Sequence, residues 1–151
     1  MKQKQIIYII VAIIAVPIGV YTISPLFIET TVNESTPMLS TTTDKSNMMK
    51  LYGVFEGTGD GIHDAQGKAF VIQSENPILR LEGFHSTNGP DLHVYLATDN
   101  HATEFIDLGK LKANNGDQNY SIPQGTDLSK YDTVLIWCKQ FSALFGSAEL
   151  V

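Results

Sequence analysis

Cysteine is almost absent from this chain: Cys138 is the only one in 151 residues. An intrachain disulfide is thereby excluded, so the fold must be held by its core. Positive charge is scarce as well. Lys and Arg number 10 against 16 Asp and Glu, a formal charge of −6. Two of the ten, Lys2 and Lys4, precede the first apolar run, which leaves 8 basic and 16 acidic residues from Glu29 onward. Such a surface, with no Lys/Arg cluster, repels phosphate backbones and excludes nucleic acid as an expected partner. Anionic lipid heads do not attract it either, so any membrane attachment has to be hydrophobic. Beyond residue 50 no stretch keeps a 3.6-residue apolar period for three turns, which argues against helices there.

What the chain does have is one long uncharged run. Residues 6–28 contain no charged side chain over 23 positions. As a helix at ~1.5 Å per residue this run is about 35 Å long, enough to cross a hydrocarbon core of about 30 Å with some tilt. Tyr8 and Tyr21 fall near its ends, where amphipathic rings favour the interface. Lys2 and Lys4 stand before it and Glu29, Glu34 and Asp44 after it, so the positive-inside bias sends the rest of the chain outside the cell. Pro17 is tolerated better in a bilayer-spanning helix than in a soluble one. A cleaved leader is the rival reading, but Val20, Thr22 and Ser24 make a poor small-x-small site with Pro25 directly behind it. The expectation is therefore a single-pass anchor over 1–28 with the C-terminal domain extracellular.

Residues 29–50 are polar and rich in Ser and Thr, with too little apolar surface to offset ordering, and read as a flexible tether. Asn33-Glu34-Ser35 and Asn119-Tyr120-Ser121 are glycosylation sequons, permissive and no more. From residue 51 the texture is that of strands. Runs at 52–56, 68–73, 78–84, 92–97, 105–112, 119–122, 133–139 and 143–150 are divided by Gly, Asn, Asp and Pro. Turn signals sit at Gly57-Thr58-Gly59-Asp60-Gly61, Asn76-Pro77, Asn88-Gly89-Pro90, Asn114-Asn115-Gly116 and Pro123. Leu92 to Leu96 alternates like a strand with one buried face, whereas Val134 to Cys138 is apolar throughout and suits a central strand covered on both. The fold class that follows is all-β: a single antiparallel sandwich or barrel-like domain over 51–151, behind one N-terminal transmembrane helix.

Few residues offer chemistry. Cys138 shares a strand face with Val134 and Ile136, opposite Leu135 and Trp137. It reads either as a buried small hydrophobe or as a redox thiol or thiolate ligand, which demands an activating neighbour. No His or Met follows it, which excludes a blue-copper loop, and it has no partner cysteine at zinc spacing. His85, Asp91 and His93 are the metal candidates, since Asp91 and His93 project from one strand face, but solvated alternation explains them equally. The Gly57–Gly61 run precedes no helix and has Ile62 where a dinucleotide loop needs its third glycine, and Asp60 and Asp64 make an incomplete calcium loop. A nucleophile elbow is missing too. Conventional hydrolase and nucleotide chemistry have no support.

Several segments in order resemble the DM-thirteen domain, a family labelled as an electron-transfer domain of cell-surface proteins. Gly57 and His63 before Gly67-Lys68-Ala69 resemble its opening, and Leu79 to Phe84 followed by Asn88-Gly89-Pro90-Asp91-Leu92-His93-Val94-Tyr95-Leu96 is similar to its central signature. Leu108-Gly109-Lys110-Leu111-Lys112, Gly116 to Tyr120 and Ile122-Pro123 continue the likeness, and Val134 to Phe141 with Phe145 to Leu150 looks like its close. The resemblance implies an extracellular all-β module whose signature cysteine, here Cys138, acts in redox chemistry, as a bare thiol or by holding a prosthetic group such as haem. His63 is then the assisting residue and Trp137 shapes the pocket. Some proteins carry the module beside DOMON and b-type cytochrome domains; this chain departs by carrying it without a cytochrome, so the donor expected here is another protein, a membrane redox partner or cell-surface protein. The rival expectation is a non-catalytic surface binding or adhesion module in which Cys138 only packs and Asn88 to Asp91 makes the contact.

Overall fold

The computed structural model describes residues 3–23, 28–37 and 49–151. The apolar run forms α1 (Gln3–Ile23), with Pro17 inside it. Its side chains are described without a break from 8 to 17 and all are exposed. Among the described residues no helix is long and apolar enough to cross a membrane, so they do not bear out the expected transmembrane helix.

Nine strands follow among the described residues: β1 (Met49–Val54), β2 (Glu56–Gly57), β3 (Ala65–Ile72), β4 (Ile78–Ser86), β5 (Leu92–Ala97), β6 (Phe105–Lys110), β7 (Asn115–Ser121), β8 (Thr133–Cys138) and β9 (Ala143–Glu149). They make two antiparallel sheets, one in the order β1-β3-β4-β7 and one in the order β2-β9-β8-β5-β6. Neither closes on itself, so the domain is a sandwich and not a barrel. The core draws on both sheets: Ala69, Val71, Leu79 and Leu81 from the first meet Val94, Leu96, Val134, Ile136, Cys138 and Phe145 from the second. Each large aliphatic side chain sealed there contributes about 1.5–3 kcal/mol. Alternation explains the pattern, because every second residue of a strand faces the same way. In β4 the phase slips between Leu81 and Phe84, and the bulge returns Phe84 to the core.

β8 is the central strand of the five-stranded sheet, covered on both faces as its unbroken apolar run predicts. Its second face meets a smaller cluster of Tyr95, Ala97 and Leu135 with Trp137, Leu144 and Ala102 against it. That cluster corrects the reading of β5 as one-faced: all six of its residues are buried. Phe105 stacks on Tyr95 at 4.2 Å between centroids and 10° between planes, and shields what alternation would leave in water.

The reading of residues 29–37 as a free tether is also corrected. Thr31 bridges Asn115 in parallel, Val32 N–H donates to the Asn115 carbonyl at 3.0 Å, and Glu34 N–H donates to that of Asp117 at 2.8 Å. The segment therefore lies along the edge strand β7. A buried charge explains why composition misleads here. The Arg80 guanidinium is almost fully enclosed; it donates to Asp117 Oδ2 at 2.6 Å, and to the Glu34 carbonyl and Asn119 Oδ1 at 3.0 and 3.1 Å. A guanidinium out of water needs its donors filled, and the polar segment fills one. Gly116, which reads as a turn, sits instead inside β7 with φ of 99°. A Cβ there would come within 2.1 Å of the Val32 carbonyl oxygen, so the glycine admits the approaching segment. The remainder of the expected linker, 38–48, lies outside the described residues.

Candidate functional site

The loop between β2 and β3 is built around one carboxylate. Asp60 Oδ1 accepts from the amides of Ile62 and His63 at 2.8 and 2.7 Å, while Oδ2 meets His63 Nδ1 at 2.5 Å. Gly59 and Gly61 take φ of 73° and 78°, the left-handed conformation that lets so short a loop fold back on that carboxylate. Thr58 Oγ1 donates to the His63 carbonyl at 2.9 Å and closes it. The His63 amide, then its ring, then the Ile62 amide hold the Asp60 carboxyl well below the usual carboxylate range. An ionised carboxylate only accepts, so Nδ1 of His63 donates to it and Nε2 is the nitrogen left without a partner among the described residues. The ring packs edge-on against Phe145, 4.5 Å between centroids.

Cys138 ends β8, opposite Leu92 of β5 and Ala143 of β9. Its exposure is 1%, yet it forms part of the floor of a cleft of about 630 Å³. His63, Phe145, Phe141, Ile62 and the Asn88-Gly89-Pro90 loop line the same cleft. Ile62 and Phe141 are 71% and 67% exposed, two large apolar groups at one opening. The loop fits tightly: a Cβ on Gly89 would lie 2.7 Å from a Leu92 methyl and 2.9 Å from the Phe145 ring. The fold thus brings together a thiol and an imidazole that lie far apart in sequence, under apolar walls. That volume is in the range of ordinary small-molecule sites.

A family model described as electron transfer DM13 matches residues 57–150, from the edge of the His63 loop to the end of β9. The chain belongs to the electron transfer DM13 family. The match spans more than half of the 151 residues, and the family description points to an electron-transfer-related function. No match to the chain was found among curated proteins or among solved structures.

Within the DM13 domain the other residues singled out by sequence lie away from this cleft. Trp137 does not line it. It faces the opposite side of β8 and stacks with Tyr95 at 6.4 Å, as strand alternation requires of the neighbour of Cys138. Lys139 turns outward too, its Nζ 3.4 Å from Asp107 Oδ2. The proposed metal trio is split between sheets. His85 lies on β4, where its Nδ1 meets Asn115 Oδ1 at 2.7 Å. His93 lies on β5, its Nδ1 2.9 Å from Asp107 and its Nε2 3.4 Å from Asp91. Among the described residues no three His, Cys, Asp or Glu side chains gather into a group that could hold a metal. Sequence reading leaves out two partners. Asp60 presents itself only as an unfinished calcium loop, and Asp107 as one polar position in an edge strand. In register Asp107 pairs with Tyr95, close enough to reach His93 across the pair, a proximity that no local pattern signals.

Proposed function

We propose that this chain is an electron-transfer module held at the outer side of a cell membrane, with Cys138 as its redox centre and His63 as the assisting group. The observation that carries the reading is that these two side chains line one cleft, with the imidazole oriented by Asp60. A histidine tied through one nitrogen to a carboxylate keeps the other nitrogen available and correctly aimed, the arrangement used for proton transfer and ligation alike. A single thiol cannot cycle as an intrachain disulfide, so the electron partner has to come to the cleft. What supports the anchor is the 23-residue uncharged run with lysines before it and acids after it, a pattern that favours a domain on the outer side and a partner at or beside the membrane.

Haem is the prosthetic group the family resemblance brings in, and the lining offers it an imidazole and a thiol as donors. Its two carboxylates find no counterpart. Among the described residues no Lys or Arg lines the cleft, and Asp60 stands behind His63. The residues present do not fit that group.

The test is thiol access in the full chain held in detergent micelles. Iodoacetamide should alkylate Cys138 without denaturant, and His63→Ala should change the pH profile of that rate. Alkylation only after unfolding overturns the reading. It would then favour the second one, a surface binding module with a packed cysteine, to which the 1% exposure of Cys138 already lends weight.

A further inference from the structure

We infer that the cleft over Cys138 binds a neutral, planar redox molecule of the quinone class. The inference rests on the reading of this cleft as the redox site and names what enters it. Size comes first: about 630 Å³ admits a substituted two-ring system with room for water. Shape and polarity come next. Phe141, Phe145, Ile62 and Pro90 supply apolar walls, two of them aromatic, which suit a flat ring. The polar groups are few and of matching kind. The side-chain amides of Asn88 and Gln140 can donate to a quinone carbonyl. His63, its Nδ1 committed to Asp60, presents Nε2 as acceptor for a quinol hydroxyl.

Charge then selects against the alternatives. Among the described residues no cation lines the cleft, so an anionic ligand leaves its charge unpaired there. The domain as a whole is acidic, 13 Asp and Glu against 6 Lys and Arg from residue 51 onward, which adds long-range repulsion. Ile62 and Phe141 stand exposed at the opening, where a hydrophobic molecule leaving a membrane would meet them first.

The experiment uses the full chain in detergent micelles and two probes of similar ring chemistry and different charge. Duroquinone is neutral and carries no free ring position for thiol addition; anthraquinone-2,6-disulfonate is a dianion, and neutral anthraquinone in the same micelles corrects for its two further rings. Calorimetric titration should show duroquinone binding, with the disulfonate at least about tenfold weaker. The amide resonance of Gly89 should shift with duroquinone. Phe141→Ser, at a position too exposed to govern folding, should weaken duroquinone about tenfold by removing one wall; the same variant in the same micelles corrects for partitioning into detergent. Disulfonate binding as tight as duroquinone, or duroquinone binding unchanged in Phe141→Ser, overturns the inference. Native alkylation of Cys138 without duroquinone binding also overturns it while leaving the redox reading intact. Duroquinone binding with Cys138 inert to alkylation upholds it and overturns the thiol centre instead.

Discussion

The two histidine–aspartate pairs of this domain have the same chemistry and opposite fates. His63 sits on a loop, is paired with one carboxylate, and keeps a ring nitrogen with no partner among the described residues, beside an open cleft. His93 sits on a strand, buried, with Asp107 at one nitrogen and Asp91 at the other. Lys110 and Lys139 close that second group further, at 3.1 Å from Asp91 and 3.4 Å from Asp107. A histidine whose two nitrogens are both engaged has nothing left to offer a substrate or metal, so it works as a joint between β5 and β6. The difference teaches that a titratable residue is made functional by what its partners leave unused.

The sharpest way to break this comparison is to delete each ring in turn. His93→Ala removes a buried ring together with its contacts to Asp107 and Asp91, and should cost about 1–3 kcal/mol in thermal or denaturant unfolding. The rate of Cys138 alkylation should stay as it was. If cleft chemistry changed as much as stability did, the separation of the two sites would be lost. Next in size is Cys138→Ser, which places a hydroxyl where a thiol packs against core aliphatics. It should destabilise by about 1–3 kcal/mol, and Cys138→Ala by less, as a modest cavity costs.

A pH series sharpens the same contrast. Burial pushes the Asp107 carboxyl up, but the His93 ring, the Gly109 amide and Lys139 together outweigh it and leave it lowered. Glu34, in the segment along β7, is lowered first of all by Lys112. Carboxylates depressed in the folded state stabilise it above their unfolded values, near 4, and lose that contribution as pH falls through the folded ones. The protection factors of the Val32 and Glu34 amides, measured against their intrinsic exchange, should therefore fall below about pH 4, before those of β8 follow. Glu34→Gln should remove that pH dependence; its persistence would show that the segment is held by its backbone bonds alone.

Much of the sandwich was legible beforehand because strand alternation and turn residues are local signals. All eight apolar runs became strands, and the unbroken 134–138 run marked the central one. The two-residue β2 escaped notice since it has no period to show. The docked segment at 30–35 was illegible for a different reason: Arg80 needs its carbonyl, and that need arises only once β4 and β7 are paired. At the site, Cys138 and its face could be read from β8 alone, but its company could not. The nearness of His63 depends on β9 carrying Phe145 under the loop that leaves its neighbour β2, a pairing between strands far apart in sequence. Trp137 was misplaced because motif adjacency suggests a shared pocket, whereas a pleated strand turns neighbours to opposite sides.

The smallest expected effect is also the most discriminating. His63 is part-exposed on a surface loop, and its ring contributes one bond to Asp60 and one edge contact to Phe145. His63→Ala should therefore cost less than about 1 kcal/mol in unfolding, well under His93→Ala. The loop should survive, since Asp60 keeps the amides of Ile62 and His63 that do not depend on the side chain. What should change is the cleft: the only imidazole among its described lining is gone, and with it the pH dependence of Cys138 alkylation that a neighbouring base confers. His63→Asn restores a polar group without a titrating one, so it should rescue neither. An unchanged alkylation profile in both variants would reduce His63 to the same structural part that His93 plays.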